Sequence, residues 1–343
     1  MLVLLLLAPL TAQAVELTIS GSCPGLVTLT SSGVTPGGSM ALVSSTADGE
    51  LEIPVGPCTG TVLALDPAGA KLRSSPVDDD ADGVVSVTPS VPGAACGQRV
   101  VAVDLTTCEV SGVAFVPDLV PVDAVMMAAS GAGRSGLWAI DPVAGTAVWV
   151  ADPGRPITGL TFDEAGTLYA IQGGGYSAVA NPTYGQIDVV DPSTGTLEAI
   201  AETGQYETSL AWGGGLLYAV DENTEVATID PGSGLIEVLP ARADGEGFGY
   251  ALAHDGETLW RVSDTGLYTI DALGVDTLIA PVSGAPGGNR GGATFHEGEL
   301  WIAIDAGPAG TLLATVDTVT GVATPTGILI PDTSIDALAS RTP

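Results

Sequence analysis

The chain has 343 residues, of which 45% are hydrophobic and 14% charged, and its 9 basic and 40 acidic side chains give a formal net charge of -31. A field of that sign repels phosphate backbones and anionic headgroups, which excludes nucleic acid and membrane surfaces as partners. Such acidity is typical of proteins that stay soluble in a salty or extracellular medium.

The first residues predict export. Residues 1–14, MLVLLLLAPLTAQA, are an apolar run that ends in a small-x-small cleavage pattern, Ala12-Gln13-Ala14, although a basic n-region is missing. A transmembrane anchor is the alternative, but the run is shorter than the ~20 apolar residues that a spanning helix needs. We therefore expect a secreted or cell-surface protein without membrane insertion.

Four cysteines in an exported chain predict two disulfides. They are Cys23, Cys58, Cys96 and Cys108, all in the first third of the sequence. Of the three possible pairings we expect Cys23–Cys58 with Cys96–Cys108, because each pair brackets a local group of strands.

Residues 15–115 predict a β-sandwich of immunoglobulin-like size. Turn residues such as Pro24-Gly25 and Asp82-Gly83 separate about seven short alternating runs. The runs are VTLT (27–30), MALVSS (40–45), LEIPV (51–55), TVLALD (61–66), VVSVT (84–88), RVVAVDL (99–105) and GVAF (112–115). The stretch VPDLVPV (116–122) predicts a stiff linker.

From residue 123 onward the chain repeats. Five apolar runs end in Ile-Asp or Val-Asp, with the aspartates at 141, 191, 230, 271 and 317, roughly 40–50 residues apart, the period of a β-propeller blade. Each full repeat holds four strand-like runs, as in ITGLTFD, LYAI, QIDVVD and TLEAIAE.

The two ends of the repeat region complement each other. The region opens at AVMMAAS (124–130) without a first strand, and it closes with IDALAS (335–340) without a second one. Residues 123–343 therefore predict a five-bladed β-propeller closed by the C-terminal strand. A six-bladed ring with one degenerate blade, or an open β array, is the alternative.

The repeat motifs G-L-x-F, L-Y-A-I/V and I-D-P-x-T-G resemble those of secreted bacterial β-propellers of the YVTN and NHL-like type. The N-terminal segments SCPGLVTLTSSGVTPGGSMAL and CGQRVVAVDLTTC resemble a Cys-bearing β-sandwich module of large secreted bacterial proteins. These resemblances imply a β-propeller after a β-sandwich in an exported protein, and they only weakly imply a binding function.

The recurrent aspartates are better explained by turns than by chemistry. Sequences such as Asp191-Pro192-Ser193-Thr194-Gly195 place an Asp that accepts backbone hydrogen bonds before a Gly with positive φ. His254 occupies the column of Phe162, Trp212 and Phe295, which predicts a packing role for it.

DDDADG (78–83) matches the opening of a calcium loop through Asp78, Asp80 and Asp82. The twelfth position is Pro89 rather than Glu, and the alternative is a charged hairpin tip. Calcium is the only cofactor that the sequence suggests.

Basic and aromatic residues cluster in the loops that enter the first strand of each repeat and in those between its second and third strands. Guanidinium groups and Tyr rings there predict a mouth that binds a glycan, an anionic small molecule or a protein partner, and the alternative is that nearby acids pair with the arginines. The residues are Arg134, Arg155, Arg242, Arg290, Tyr176, Tyr184, Tyr206 and Tyr250.

We expect a non-catalytic, monomeric binding or scaffold protein. A glycosidase-like hydrolase with channel carboxylates is the rival, by analogy of fold alone, and its acids would be Asp336, Glu207 and Asp264. A purely structural surface protein is the third possibility.

Overall fold

The computed structural model describes residues 14–118, 124–131, 135–173, 185–203, 207–221, 225–242, 251–284, 290–332 and 335–341. Apart from Ala14, the predicted signal peptide lies outside these ranges. The described chain is all-β, with two single-turn 3-10 helices at Gly93–Ala95 and Gly307–Ala309. None of its helices is long and apolar enough to cross a membrane. Two compact units are present, Met1–Val91 with Ala95–Val120, and Pro92–Ala94 with Pro121–Pro343.

The N-terminal unit consists of short antiparallel strands. One sheet has the order β1-β2-β7 with β8 also on β2, a second has the order β10-β9-β3-β6, and β4 pairs with β5. The strands are β1 (Glu16–Gly21), β2 (Gly25–Ser32), β3 (Met40–Ser45), β4 (Leu51–Glu52), β5 (Val62–Leu63), β6 (Lys71–Ser74), β7 (Val84–Val87), β8 (Ser90–Val91), β9 (Arg99–Asp104) and β10 (Ala114–Phe115). Each of the seven predicted runs contains a strand or lies within one, although β4, β5 and β10 are only two residues long, and the sequence did not predict β1, β6 and β8.

The two larger sheets of this unit share one core. Val27 and Leu29 of β2 pack with Met40 and Leu42 of β3 and with Val100 of β9, and all five are buried. Their alternation along each strand puts the apolar face inward.

The predicted disulfide pairing is wrong. The bonds are Cys23–Cys96 and Cys58–Cys108, which join residues 73 and 50 positions apart. Antiparallel pairing of β2 with β8 places Gly25 opposite Val91, so the residues before Gly25, which include Cys23, lie near the residues after Val91, which include Cys96. Both bonds are typical of an oxidising compartment such as the periplasm or the extracellular space.

The C-terminal unit contains five antiparallel four-stranded sheets. Their orders are β13-β12-β11-β30, β14-β15-β16-β17, β18-β19-β20-β21, β22-β23-β24-β25 and β26-β27-β28-β29. The strands are β11 (Met126–Ser130), β12 (Leu137–Asp141), β13 (Thr146–Ala151), β14 (Ile157–Phe162), β15 (Leu168–Gln172), β16 (Gln186–Val190), β17 (Leu197–Glu202), β18 (Glu207–Gly213), β19 (Leu216–Asp221), β20 (Glu225–Ile229), β21 (Ile236–Arg242), β22 (Ala251–His254), β23 (Leu259–Val262), β24 (Leu267–Ile270), β25 (Asp276–Ala280), β26 (Arg290–His296), β27 (Glu299–Asp305), β28 (Thr311–Val316), β29 (Ala323–Ile330) and β30 (Ile335–Ser340).

The C-terminal strand completes the sheet that begins the unit, as the sequence predicted. β30 pairs antiparallel with β11, with Met127 opposite Ala339 and Ala129 opposite Ala337. Residues more than 200 positions apart therefore share one hydrogen-bonded ladder.

Each sheet has one strand that packs against the corresponding strands of the neighbouring sheets, and we call it the inner strand. The inner strands β14, β18, β22, β26 and β30 contact one another in this order, and β30 also contacts β14. Gly159 permits the close approach of β14 and β18, because a Cβ there would lie 2.5 Å from the Leu210 nitrogen. This explains the motif G-L-x-F, in which Gly gives close approach and Leu160 enters the core between two sheets.

Replacing Leu338 of β30 by Ala should lower the free energy of unfolding of the C-terminal unit by about 2–4 kcal/mol, because a side chain that is 1% exposed leaves a cavity. Leu278→Ala on β25, where the side chain is 55% exposed, is the control and should change it by less than about 0.5 kcal/mol. Urea unfolding followed by tryptophan fluorescence measures the C-terminal unit alone, since Trp138, Trp149, Trp212, Trp260 and Trp301 all lie there. Equal effects of the two variants would contradict the role of β30.

Candidate functional site

A cavity of about 750 Å³ lies along the inner strands of the C-terminal unit. This volume is in the usual range of small-ligand sites, about 300–1,000 Å³. Its wall is built from apolar and small side chains of four inner strands: Leu160, Thr161, Leu210, Ala211, Leu252, Ala253, Ala293 and Thr294. This part of the wall therefore combines apolar side chains with one threonine from each of two inner strands.

Aromatic rings surround one end of this cavity. Four aromatic residues stand at the same register position, each opposite a leucine of the next strand: Phe162, Trp212, His254 and Phe295. Ser340 takes the fifth position on β30, opposite Met126. All five residues line the cavity. The sequence predicted that His254 shares one position of the repeat with Phe162, Trp212 and Phe295, and these four residues lie together at the end of the cavity.

A ring from the neighbouring sheet supports three of these side chains. Tyr169 stacks on Trp212 with centroids 5.9 Å apart and planes 2° from parallel, and Tyr218 stacks on His254 at 5.8 Å. Trp260 packs on Phe295 at 6.1 Å. Such contacts between sheets fix the orientation of the rings at the cavity end.

His254 is held as a neutral imidazole. Its Nδ1 accepts a hydrogen bond from the Gly256 amide at 3.0 Å, which leaves the proton on Nε2. Burial lowers its pKa, and the Asp255 carboxylate opposes that shift only in part. The predicted packing role is confirmed by the Tyr218 stack, and the side chain also offers a donor at the cavity end.

Acidic residues line the turns that follow the inner strands. Glu164, Asp255 and Glu297 all border the cavity. Asp255 is built into its turn, because Oδ1 accepts the amides of Glu257 and Thr258 while Oδ2 accepts the Trp260 indole N–H at 2.8 Å. Burial opposes its ionisation, but these three donors hold the pKa of Asp255 below its usual value.

Arg155 of the predicted loop mouth precedes its inner strand, whereas the cavity residues Phe162, Trp212, His254 and Phe295 lie at or near the C-terminal ends of theirs. Of the mouth residues only Arg155 has a described side chain, and its Nη1 donates to Gln172 Oε1 at 3.3 Å. Gln172 in turn donates to Asp188 Oδ2 at 2.5 Å. Arg155 also lines a second cavity of about 400 Å³ together with Asp152 and Gln186. The contact with Gln172 joins Arg155 to an amide oxygen rather than to an acid, so both the binding role of Arg155 and its ion-pair alternative stay predictions.

For two further mouth residues the structure describes the backbone alone. Arg242 ends β21 and Arg290 begins β26, in backbone register with Glu225 and Ile304 respectively. The remaining predicted residues lie outside the described ranges: Arg134, Tyr176, Tyr184, Tyr206 and Tyr250. Their binding role stays a prediction.

Asp336, the first of the predicted catalytic acids, is the second residue of β30. Burial raises its pKa to about 7, and the Asp332 and Asp305 carboxylates add to the shift. Asp332 Oδ2 also accepts a hydrogen bond from Ser130 Oγ at 2.6 Å. A half-buried carboxyl group that is partly protonated at neutral pH is typical of functional sites, although structural networks produce it as well.

The other two predicted acids lie on different sheets. Glu207 is the first residue of β18, and Asp264 lies in the turn between β23 and β24. Their catalytic roles stay predictions.

The turn interpretation of the recurrent aspartates is confirmed. Asp141 Oδ1 accepts the amides of Val143 and Ala144 at 2.9 and 2.8 Å, and the other four make the same kind of contact. The glycines that close these turns have positive φ: Gly145, Gly195, Gly234, Gly274 and Gly321.

A buried ion pair was missed by the sequence analysis. Arg261 of β23 is fully buried, pairs with Asp276 of β25, and places its guanidinium 4.2 Å from the Tyr268 ring centroid. Its only sequence signal is an Arg in LWRV, where other repeats have Ala or Ile.

The chain matches no protein-family model, and no curated protein is detectably similar to it in sequence. Among solved structures it is similar to a structural-genomics protein of unknown function from Bacteroides thetaiotaomicron, with 12% identity, a TM-score of 0.41, and coverage of 90% of this chain and 86% of that one. An auxiliary nutrient binding protein from Bacteroides ovatus has 12% identity, a TM-score of 0.39, and coverage of 90% and 85%. A chain of a nidogen/laminin complex has 12% identity, a TM-score of 0.44, and coverage of 62% and 97%.

Asp336→Asn should change how the stability of the C-terminal unit depends on pH. A raised carboxyl pKa means that the folded state binds a proton more tightly, so wild-type stability falls as pH rises from about 4 to about 7 and then levels off. The variant has no such carboxyl group and lacks this loss. We therefore expect the free energy of unfolding of the variant minus that of the wild type to be about 2–4 kcal/mol larger at pH 8 than at pH 4.5. Urea unfolding at both pH values measures it. Glu198→Gln changes an exposed residue and is the control, so its stability should depend on pH as that of the wild type does. If Asp336→Asn also showed the wild-type pH dependence, Asp336 would not have a raised pKa.

Proposed function

We propose that this chain is an exported, non-catalytic binding protein. In this proposal the C-terminal unit is a five-bladed β-propeller closed by β30, and the N-terminal unit is a disulfide-bonded β-sandwich that acts as a spacer or anchor. The cyclic contacts of the inner strands support the propeller, and the core shared by two sheets supports the sandwich. The repeat motifs resemble those of secreted bacterial propellers, and the N-terminal segments resemble a Cys-bearing β-sandwich module, which agrees with these two assignments.

The ligand site in this proposal is the cavity along the inner strands. The observation that carries it is the ring of Phe162, Trp212, His254 and Phe295 around a space of about 750 Å³. Ligand sites combine such apolar and aromatic walls with a few polar groups that orient the ligand. Here Thr161 and Thr294 supply hydroxyls, and His254 supplies a ring nitrogen.

A neutral saccharide fits this chemistry best. Aromatic rings can pack on the C–H faces of sugar rings, and the carboxylates of Glu164, Asp255 and Glu297 can accept hydrogen bonds from hydroxyls. The same carboxylates and the net charge of -31 disfavour an anionic ligand at this end of the inner strands. An anionic or protein partner belongs to the opposite loops, where Arg155 lies.

One observation favours a second function, a glycosidase-like hydrolase. Asp336 has the properties of a general acid, since it is half-buried, lies near the carboxylates of Asp332 and Asp305, and keeps a proton near neutral pH. Hydrolysis of a chromogenic glycoside that Asp336→Asn abolishes would favour this alternative. Binding without hydrolysis favours the first proposal.

Filling the cavity tests the binding proposal. Thr294→Phe places a large ring where Thr294 borders the cavity, so we expect affinity for a neutral oligosaccharide to fall at least about tenfold. The matched control is Thr277→Phe on the exposed edge strand β25, which should leave affinity unchanged. A glycan array identifies the saccharide with the full-length protein, and calorimetry then measures its affinity.

The measurement is informative only for folded variants. Tryptophan fluorescence and the midpoint of thermal unfolding should be close to wild type for both. Saccharide binding that survives Thr294→Phe in a folded protein would contradict the proposed site, and loss in both variants would do so as well.

A further inference from the structure

The loop at residues 78–83 of the N-terminal unit brings three carboxylates together. One oxygen from each of Asp78, Asp80 and Asp82 lies within 4.8 Å of the others. Ala81 has a φ of 57° and Gly83 a φ of 77°, so the backbone folds tightly around this cluster. Each side chain therefore offers an oxygen to the same point.

Asp78 anchors this loop to the rest of the unit. Its Oδ2 accepts the amides of Gly37 and Gly83 at 3.1 and 2.9 Å. The Gly37 loop is fixed in turn by Asp104, whose Oδ2 accepts the amide and the hydroxyl of Thr35 at 2.6 Å. The cluster is thus built on a preorganised support rather than on a free hairpin tip.

A second observation, independent of the clustering, points to a ligand. Asp78 is only 2% exposed, and its Oδ1 is buried without a hydrogen-bond donor. A buried carboxylate oxygen without a partner is costly, and native structures usually satisfy it with a donor, a water or a cation.

The described part of the protein supplies no positive charge to these carboxylates. Its ion pairs join Arg99 to Asp48 and Arg261 to Asp276, and neither includes a residue of the loop. Three like charges this close repel one another, so a bound cation would relieve a cost that the protein leaves uncompensated.

We infer that Asp78, Asp80 and Asp82 form a calcium site in the N-terminal unit. Carboxylate oxygens in a flexible arrangement are the ligands that Ca²⁺ prefers, whereas Mg²⁺ demands octahedral geometry and gives up water reluctantly. The spacing D-x-D-x-D-G places the three side chains and the turning glycine as calcium loops do.

The site lacks one strong ligand of the full calcium loop. Its twelfth position is Pro89, so the bidentate carboxylate that completes such loops is missing. We therefore expect a dissociation constant on the order of 10⁻⁴–10⁻³ M, the range of extracellular calcium modules. That range suits an exported protein that meets millimolar calcium.

Calorimetric titration of CaCl₂ into the full-length, metal-free protein tests the inference. We expect saturable binding of one Ca²⁺ per chain, with Asp80→Asn weakening it at least about tenfold because one of three charged ligands is neutralised. Asp79→Asn is the matched control, since it removes the same charge from the exposed adjacent residue, which lies outside the cluster. It should change the affinity less than about twofold.

Three results would overturn the site. They are the absence of saturable heat in the wild type, equal weakening by both variants, and an equal affinity for MgCl₂. Asp80 is exposed and bonds to none of the Gly37 or Gly83 amides, so both variants should fold, and far-UV circular dichroism checks this.

Discussion

The pairing of β30 with β11 is the interaction on which the C-terminal unit depends. It satisfies backbone groups of both strands and removes two edges that would otherwise be free to pair with another chain. It also buries two residues of β30 in different cores. Ala339 packs with residues of β14 and β15, and Leu338 packs with residues of β27 and β28. Ser340 of this strand lines the cavity beside residues of the other four inner strands.

The same packing explains the residues at the cavity. Inner strands can lie close together where glycine replaces a side chain, as at Gly159, and leucines fill the space between sheets. Two residues further along these strands, large rings such as Trp212 take the place of leucine and pack on a ring of the neighbouring sheet. One column of residues therefore packs between sheets and also lines the cavity, and the sequence pattern indicated only the packing.

Much of the fold could be predicted from local signals. The Asp-Pro-x-x-Gly turns and alternating runs have short-range causes, so the four strands of each sheet and the role of Asp141 or Asp230 were clear from sequence. The disulfides were not, because β2–β8 pairing brings Cys23 to Cys96 across 73 residues. Nor could spacing reveal the buried Arg261–Asp276 pair or the raised pKa of Asp336, since burial decides both. The calcium motif was visible, whereas the buried, unpartnered oxygen of Asp78 was not.

The binding proposal and the calcium inference concern separate units, so one can be wrong while the other holds. The proposed propeller requires β30 to pair with β11. Hydrogen exchange of the full-length protein, resolved by mass spectrometry, measures that requirement most directly. Amides of residues 335–340 should exchange as slowly as those of β11 and β14, because all three strands then open only with the whole unit. Fast exchange of residues 335–340 beside slow exchange of β14 would contradict the account.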